Sequence, residues 1–458
     1  MVETLPLNGP YSPTWVQDDF GKHVYKHKTE NEPRNGLLLK QQEFQEHLGL
    51  VDSIKACIKH KNLYRGKQIH AEVLQEGLLH RNVYLGTALN TMYARFGQVS
   101  KSREVFDELR VRNVVSFNAL ITGYVRLGLA HEALECFHQM RTHGIPPNDV
   151  TFICILKACG LIGSTLVGAE IHAEINKLGL IGKNAMVSTA LVDMYAKCGD
   201  LDKAQEVFDG SSERDLISWT ALIAAYAYRG RGHMALDLFA RMQEGGVSPN
   251  PITFACVLKA CGHMRFISKG EQIHAHIASR KGNLDLGEHK VTLGNALVDM
   301  YAKCGMVGKA HRTFDQLPAK DIVTWNILVT AYAHHEHGDE ALKCFSQMQN
   351  EGFLPDVVTF SSVLKACSDV GSLEKGEEIH MEVRKQGLLE NSTVIGNALV
   401  DMYAKCGVLR KAQEVFEGLP APDAISWTTL ITGYAHQGEG ENACKCFEQM
   451  SLRLLNCT

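Results

Sequence analysis

No C-x-x-C occurs in these 458 residues, although the chain holds fourteen cysteines. Zinc ribbons and related structural metal sites need closely paired thiolates, so that class of site has no ligand set here. Nor does any apolar run approach the ~18 residues that signal a membrane helix. A basic excess is missing too: 47 Lys and Arg stand against 51 Asp and Glu, a net charge of −4. This excludes a strongly basic nucleic-acid-binding chain, and an anionic partner would have to be met by a local face. Residues 1–46 carry one Ser and one Arg beside Glu3, Asp18 and Asp19, which suits neither a secretory signal nor an Arg- and Ser-rich transit peptide. Phosphate-cradling loops, nucleophile elbows and paired catalytic acids are likewise missing.

What the chain does have is repetition. LVDMYAKCG stands at 191–199, 297–305 and 399–407, with a worn copy, LNTMYARFG, at 89–97. The copies therefore begin 102, 106 and 102 residues apart. The cysteines follow the same rhythm. Cys57, Cys159, Cys261 and Cys367 share a KAC phrase, and Cys198, Cys304 and Cys406 share KCG. Recurrence of that kind reads as small buried hydrophobes carrying free thiols rather than a disulfide framework.

An interval near 100 residues is too long for one supersecondary unit, and each splits in three. The expected array over 47–458 has four long–short–standard triplets, 47–148, 149–250, 251–356 and 357–458, behind a 1–46 extension. Long units of 36 residues begin at His47, Asp149, Pro251 and Val357, the third stretched to 40 by an insertion near NLDLGEHK. Short units of 31 begin at Val83, Ala185, Val291 and Thr393, and standard units of 35 at Val114, Leu216, Ile322 and Ala424. Periods in this range mean stacked units. Each unit reads as two helices: Phe117, Leu120, Ile121 and Tyr124 recur at spacings of three and four, Gly128 breaks the run, and Ala133, Leu134, Phe137 and Met140 form a second stripe. Such a hairpin cannot bury its stripes alone, so neighbours must stack into a continuous core. The class is all-α, about twelve helix-turn-helix repeats.

Units reading V-S-F-N-A-L-I-T-G-Y…E-A-L-x-x-F-x-x-M…G-x-x-P-N resemble pentatricopeptide repeats, and the alternation of lengths resembles the plant subclass that mixes long, short and standard repeats. The resemblance implies a right-handed superhelical solenoid binding single-stranded RNA, one base per repeat, read by two or three side chains. It also implies which residues read: the fifth of a short or standard unit, and that unit's last. Here the couples are Thr87 with Asn113, Asn118 with Asn148, Thr189 with Asp215, Thr220 with Asn250, Asn295 with Asp321, Asn326 with Asp356, and Asn397 with Asp423. An ionised Asp only accepts hydrogen bonds, which suits the ring N–H of uracil or guanine, whereas an Asn amide can donate to adenine or cytosine. With the family's code the target reads 5′-A-(C/U)-x-G-A-x-U-U-x-U-3′, x lying opposite long units, which carry Ile153, Ala255 and Ser361 at the fifth place. The unit's second residue, implied to sandwich bases, is mostly apolar: Val115, Met186, Ile217, Val323, Val394, Ile425, with Thr292 a weaker platform.

Lys55, Lys157, Lys259 and Lys365 fall four residues beyond the fifth place of the long units, one helical turn along the same face, where they could meet phosphate. Short units put Asp193, Asp299 and Asp401 at the matching place, so the face is expected to be only mildly basic. Some relatives of this subclass carry a zinc deaminase with an H-x-E…P-C-x-x-C signature. H-x-E occurs at His70, His172 and His380 but belongs to a recurring I-H-A-E-like phrase and has no C-x-x-C to complete it, so it reads as scaffold. The cluster His334, His335, Glu336, His337 reads as a turn. After Met450 the last unit reads SLRLLNCT, without the glycine and proline of its counterparts, and pairs Thr428 with Thr458. The expectation is therefore a non-enzymatic reader of organellar transcripts, mitochondrial or chloroplast, without cofactor or metal and not membrane-bound. It would specify sites for C-to-U editing with a deaminase in trans, or alternatively protect or mature RNA, or serve as a protein-binding scaffold.

Overall fold

In a computed structural model, residues 15–17, 23–25 and 48–455 are described, apart from 80–81, 182–183, 212–213, 280–288 and 391. The insertion near NLDLGEHK and Thr458 therefore lie outside the described residues, as does most of the 1–46 extension. Within that extension, β1 (Trp15–Gln17) pairs antiparallel with β2 (His23–Tyr25), Val16 opposite Val24. Among the described residues, everything else regular is helical. The chain divides into two compact units, 1–162 and 163–458.

The first unit holds α1 (48–59), α2 (Leu63–Gln75), α3 (Val83–Arg95), α4 (Val99–Glu108), α5 (Val114–Arg126), α6 (Ala130–Thr142) and α7 (Asp149–Ile162). The second begins with α8 (Thr165–Lys177), α9 (Ala185–Cys198), α10 (Leu201–Gly210), α11 (Leu216–Tyr228) and α12 (Gly232–Glu244). It continues through α13 (Pro251–His263), α14 (Ile267–Ser279), α15 (Lys290–Lys303), α16 (Val307–Asp315), α17 (Ile322–His334) and α18 (Gly338–Asn350). Its last elements are α19 (Val357–Val370), α20 (Leu373–Lys385), α21 (Thr393–Lys405), α22 (Leu409–Glu417), α23 (Ala424–His436) and α24 (Gly440–Leu455).

Local chemistry sets these boundaries. Asn82, Asn113, Asn184, Asp215, Asn250, Asp321, Asp356 and Asp423 each cap the following helix, their side chains accepting its first free amides. Between the two helices of a hairpin the chain needs one residue in the left-handed region. Glycine supplies it at nine turns, for example Gly97, Gly199 and Gly407 at φ 74°, 89° and 80°. Lys61, Arg265 and Glu336 occupy the equivalent turns at φ 53°, 53° and 61°. At the far end, α24 lacks the Gly-x-x-Pro stop and runs 16 residues where α6, α12 and α18 run 13.

Within each unit the hairpins form two layers. First helices stack on one another, α3–α5–α7 in the first unit and α9 through α23 in the second. The second helix packs on its own partner in α3–α4, α5–α6 and α9–α10 through α23–α24, and the second helices from α2 to α22 pack on the first helix of the next hairpin within their unit. Three clasps recur at the joints. Where long meets short, Gly66, Gly168, Gly270 and Gly376 leave room for Met92, Met194, Met300 and Met402; an added Cβ would lie 2.3–2.5 Å from the sulfur. At the same joint, His70, His172, His274 and His380 each place Nδ1 2.9 Å from the hydroxyl of Tyr93, Tyr195, Tyr301 and Tyr403. Where short meets standard, an aromatic edge meets a face: Phe106–Phe117, Phe208–Trp219, Phe314–Trp325 and Phe416–Trp427, with centroids 4.5–4.8 Å apart. The repeated nonapeptide is thus a first helix whose Met and Tyr are gripped from the preceding hairpin. The KAC cysteines are buried, and burial pushes the Cys261 and Cys367 thiols up to about 12.

Candidate nucleic-acid interface

One face of the first helices carries a regular sequence of side chains. The second residue projects: Tyr84, Val115, Met186, Ile217, Val323, Val394 and Ile425 are all between 49% and 76% exposed, an unusual fate for large apolar groups. Long units add Leu48, Val150, Ile252 and Val358, all exposed, while Thr292 is exposed but polar. Three residues on, one turn along the helix, sits the fifth residue. It is recessed: Thr87, Asn118, Thr189, Thr220 and Asn326 are only 8–9% exposed, whereas Asn295 and Asn397 are half-buried.

The recessed residue meets the cap of the next helix in most couples. Asn118 Nδ2 donates to Asn148 Oδ1 at 2.9 Å, and Thr189 Oγ1 to Asp215 Oδ1 at 3.1 Å. Asn295 Nδ2 donates to both oxygens of Asp321 at 3.1 and 3.3 Å, and Asn326 Nδ2 to both oxygens of Asp356 at 3.0 Å. Asn397 Nδ2 reaches Asp423 Oδ1 at 3.3 Å. Thr220 and Asn250 are joined only through Thr253, whose hydroxyl lies 2.8 Å from each. Thr87 and Asn113 are not brought together by a hydrogen bond, and the Thr87 hydroxyl is buried without a partner.

The last residue of each unit therefore has two tasks. One acceptor site is committed to helix initiation: Asp321 Oδ1 takes the Thr324 amide at 2.8 Å and Asp356 Oδ1 the Thr359 amide at 2.9 Å. The neighbouring Asn amide spans both oxygens, and Oδ2, free of the helix cap, keeps further acceptor capacity, since a carboxylate offers about four lone-pair sites. Burial raises the Asp321 carboxyl, but hydrogen bonds from Thr324 and Asn295 outweigh it and hold the group below its usual range. Hydrogen bonds from the Ser426 amide and hydroxyl lower Asp423 likewise. Each Asn–Asp couple thus presents an N–H donor beside an anionic acceptor.

The four candidate lysines meet different surroundings. Lys55 pairs with Asp52 at 3.1 Å and Lys365 with Asp369 at 2.9 Å. Lys259 lies over the Tyr228 ring, 3.6 Å from its centroid, while Lys157 is exposed. Asp193, Asp299 and Asp401 are each held by a lysine one turn on, Lys197, Lys303 and Lys405, at 2.7, 2.7 and 2.8 Å. These pairings escaped the sequence reading, although the Asp-x-x-x-Lys spacing inside LVDMYAKCG signals them. The hydroxyl residues three places into the next unit, Thr151, Thr253, Thr324 and Thr359, were missed as well. His335 Nε2–H donates to the Ala302 carbonyl, 3.1 Å away, and His337 packs edge-on to Tyr332. Among the described residues, no three His, Cys, Asp or Glu side chains gather as a metal site.

Stacked hairpins of 31 to 40 residues with a patterned first-helix face define an α-helical repeat protein. The profile of the PPR repeat family matches residues 112–160, 214–263 and 320–369, and that of the single PPR repeat matches 187–215, 295–322, 358–388, 397–420 and 425–453. The chain belongs to the pentatricopeptide repeat family. It is similar to two Arabidopsis thaliana pentatricopeptide repeat-containing proteins, one named chloroplastic (34% identity over 87% of this chain and 63% of that protein) and one named mitochondrial (34% over 90% and 59%). It thus spans about three-fifths of the length of these relatives, which share the organellar address but differ in the organelle. Among solved structures it is similar to the pentatricopeptide repeat protein PPR10 in complex with an 18-nt psaJ RNA element, at a TM-score of 0.66 and 19% identity, covering 84% of this chain and 57% of that one. That likeness speaks to the fold.

Proposed function

We propose that the chain binds single-stranded RNA of organellar transcripts and reads it base by base, with the seven couples as reading heads. The observation that supports this most directly is the register of the first-helix face. In the short and standard hairpins an exposed second residue, apolar except at Thr292, alternates with a fifth residue that in five of the seven couples hydrogen-bonds directly to the last residue of its unit. An exposed apolar side chain can pack against the face of any base, since every base has an apolar π-face. The couple between two platforms meets one base edge. An Asn–Asp couple offers an N–H and a carboxylate side by side, the complement of a uracil carbonyl and its ring N–H. PPR10 was solved holding RNA, and the shared fold makes the same mode available here.

The proposed target remains 5′-A-(C/U)-x-G-A-x-U-U-x-U-3′. The long–short–standard alternation fits the subclass that specifies C-to-U editing sites, with a deaminase acting in trans. RNA protection or maturation would use the same groove. Titration of the ten-nucleotide RNA against a scrambled one tests the reading; equal, negligible binding of both would instead favour a peptide-binding scaffold. Asn326→Thr sharpens the test. The shorter hydroxyl leaves room for a purine, so preference at the eighth nucleotide should move from U toward G, by about ten-fold for one rearranged base contact. A preference that stays put removes the couple as a reader.

A further inference from the structure

The couples are not held alike, and the difference follows one residue outside them. Where the next hairpin has threonine as its third residue, the hydroxyl reaches back to the reading residue of the preceding hairpin. Thr151 Oγ1 lies 2.6 Å from Asn118 Oδ1, Thr324 Oγ1 2.6 Å from Asn295 Oδ1, and Thr359 Oγ1 2.5 Å from Asn326 Oδ1. Thr253 Oγ1 lies 2.8 Å from Thr220 Oγ1. In the three amide cases the cap oxygen is also in reach, at 3.0, 2.7 and 3.0 Å, but is the farther acceptor.

Serine at the same place behaves differently. Ser116 and Ser218 turn their hydroxyls to the backbone carbonyls of Asn113 and Asp215, 2.9 Å in both cases, and Ser426 turns to Asp423 Oδ1 at 2.9 Å. The reading residues before them lose the anchor. Asn397 Oδ1 and Thr87 Oγ1 are both buried with no hydrogen-bond partner. A branched Cβ restricts threonine's rotamers, which keeps its hydroxyl aimed between the two oxygens, whereas serine is freer to satisfy its own cap. Asn295 and Asn397 make the most direct comparison: both sit in short units and both face an aspartate, with Thr324 at one joint and Ser426 at the other. One amide is held at both ends, the other only by a 3.3 Å bond to Asp423. Where long units place Ala255 and Ser361 at the fifth position, the following third residues are Leu293 and Ile395, without hydroxyls.

We infer that the third residue of each hairpin is a positioning residue for the base-reading side chain of the hairpin before it, threonine setting a stringent site and serine a permissive one. This rests on the base-reading function proposed above. The held amide keeps its second N–H aimed at one point on the base edge. The amide held at one end swings, and a mismatched base costs it less. Stringency is then graded along the array, high at Asn118, Thr220, Asn295 and Asn326, low at Thr87, Thr189 and Asn397.

The test uses the full chain and ten-nucleotide RNAs with U or C at the seventh nucleotide, opposite Asn295, or at the tenth, opposite Asn397. The readout is the ratio of Kd values for U and C within one protein preparation, so loss of folded protein cancels. Thr324→Ser should cut U-over-C discrimination at the seventh nucleotide about three- to ten-fold, the worth of one net hydrogen bond. Ser426→Thr should raise it comparably at the tenth, and neither change should alter the other site. Serine still caps, so the melting temperature of Thr324→Ser should barely move. The control is Asn295→Thr, which shifts the base preferred at the seventh nucleotide if that couple reads at all. Ratios unmoved by both hydroxyl swaps while Asn295→Thr still shifts the base would overturn the positioning role and leave the reading intact. Should Asn295→Thr also change nothing, base reading fails and the positioning role goes with it.

Discussion

At the scale of single residues, the hairpin turns show how much one backbone angle decides. Twelve turns each need a left-handed residue, and glycine fills nine. Arg265 and Glu336 adopt the same conformation with side chains, at a cost of roughly 1–2 kcal/mol each. Replacement by glycine relieves that cost but gives back about 0.5–1 kcal/mol in unfolded-chain entropy. The double variant Arg265→Gly, Glu336→Gly should therefore melt about 1–3 °C higher, measured by circular dichroism. A lower melting temperature would show that these side chains make contacts worth more than the strain. Glycine turns are legible in the sequence because the phrase K-C-G repeats; Lys61, Arg265 and Glu336 are not, since nothing in a charged residue announces a positive φ.

At the scale of elements, the joint between long and short hairpins should respond to pH. Burial lowers the pKa of His70, His172 and His380 below the ordinary 6.5, and the fold therefore favours their neutral forms. A group whose folded pKa is depressed gives its full stabilisation above the unfolded value. Stability should thus be complete above about pH 6.5 and fall as pH drops below it, most steeply between the unfolded and folded values. Thermal melts from pH 7.5 to 5 should show the decline. His172→Gln combined with His380→Gln should flatten it while lowering the plateau. A melting curve equally steep in that variant would assign the pH effect to other groups. The I-H-A-E phrase and the nonapeptide tyrosine were both visible as repeated words, but that each histidine meets a tyrosine 23 or 27 places later needed the stack.

At the scale of the whole molecule, charge is spread thinly. The short-unit aspartates are tied to lysines, and of the four candidate lysines two are already in ion pairs. Each phosphate contact on a single strand contributes about −0.7 to the slope of log K against log salt. With few cations to spare, the slope for the cognate RNA should lie between about −1 and −3 from 50 to 200 mM salt. A slope near −6 would mean a phosphate track that these couples and lysines do not account for. Hairpin periodicity, the apolar stripes and the residue types of the couples could be read from one chain. What could not be read was which oxygen each amide faces, because that depends on a hydroxyl contributed by the next hairpin.

The double employment of each hairpin's final residue constrains how such a protein can acquire a new target. Asn and Asp fill that place in all seven couples, and both start the following helix well. Any substitution there rewrites a letter of the message and, in the same stroke, tests whether the next stretch of backbone still coils. Loss of the cap costs about 1 kcal/mol, so the vocabulary open to the second letter is limited to side chains that can nucleate a helix. The fifth position has no such duty and is the freer site for retargeting.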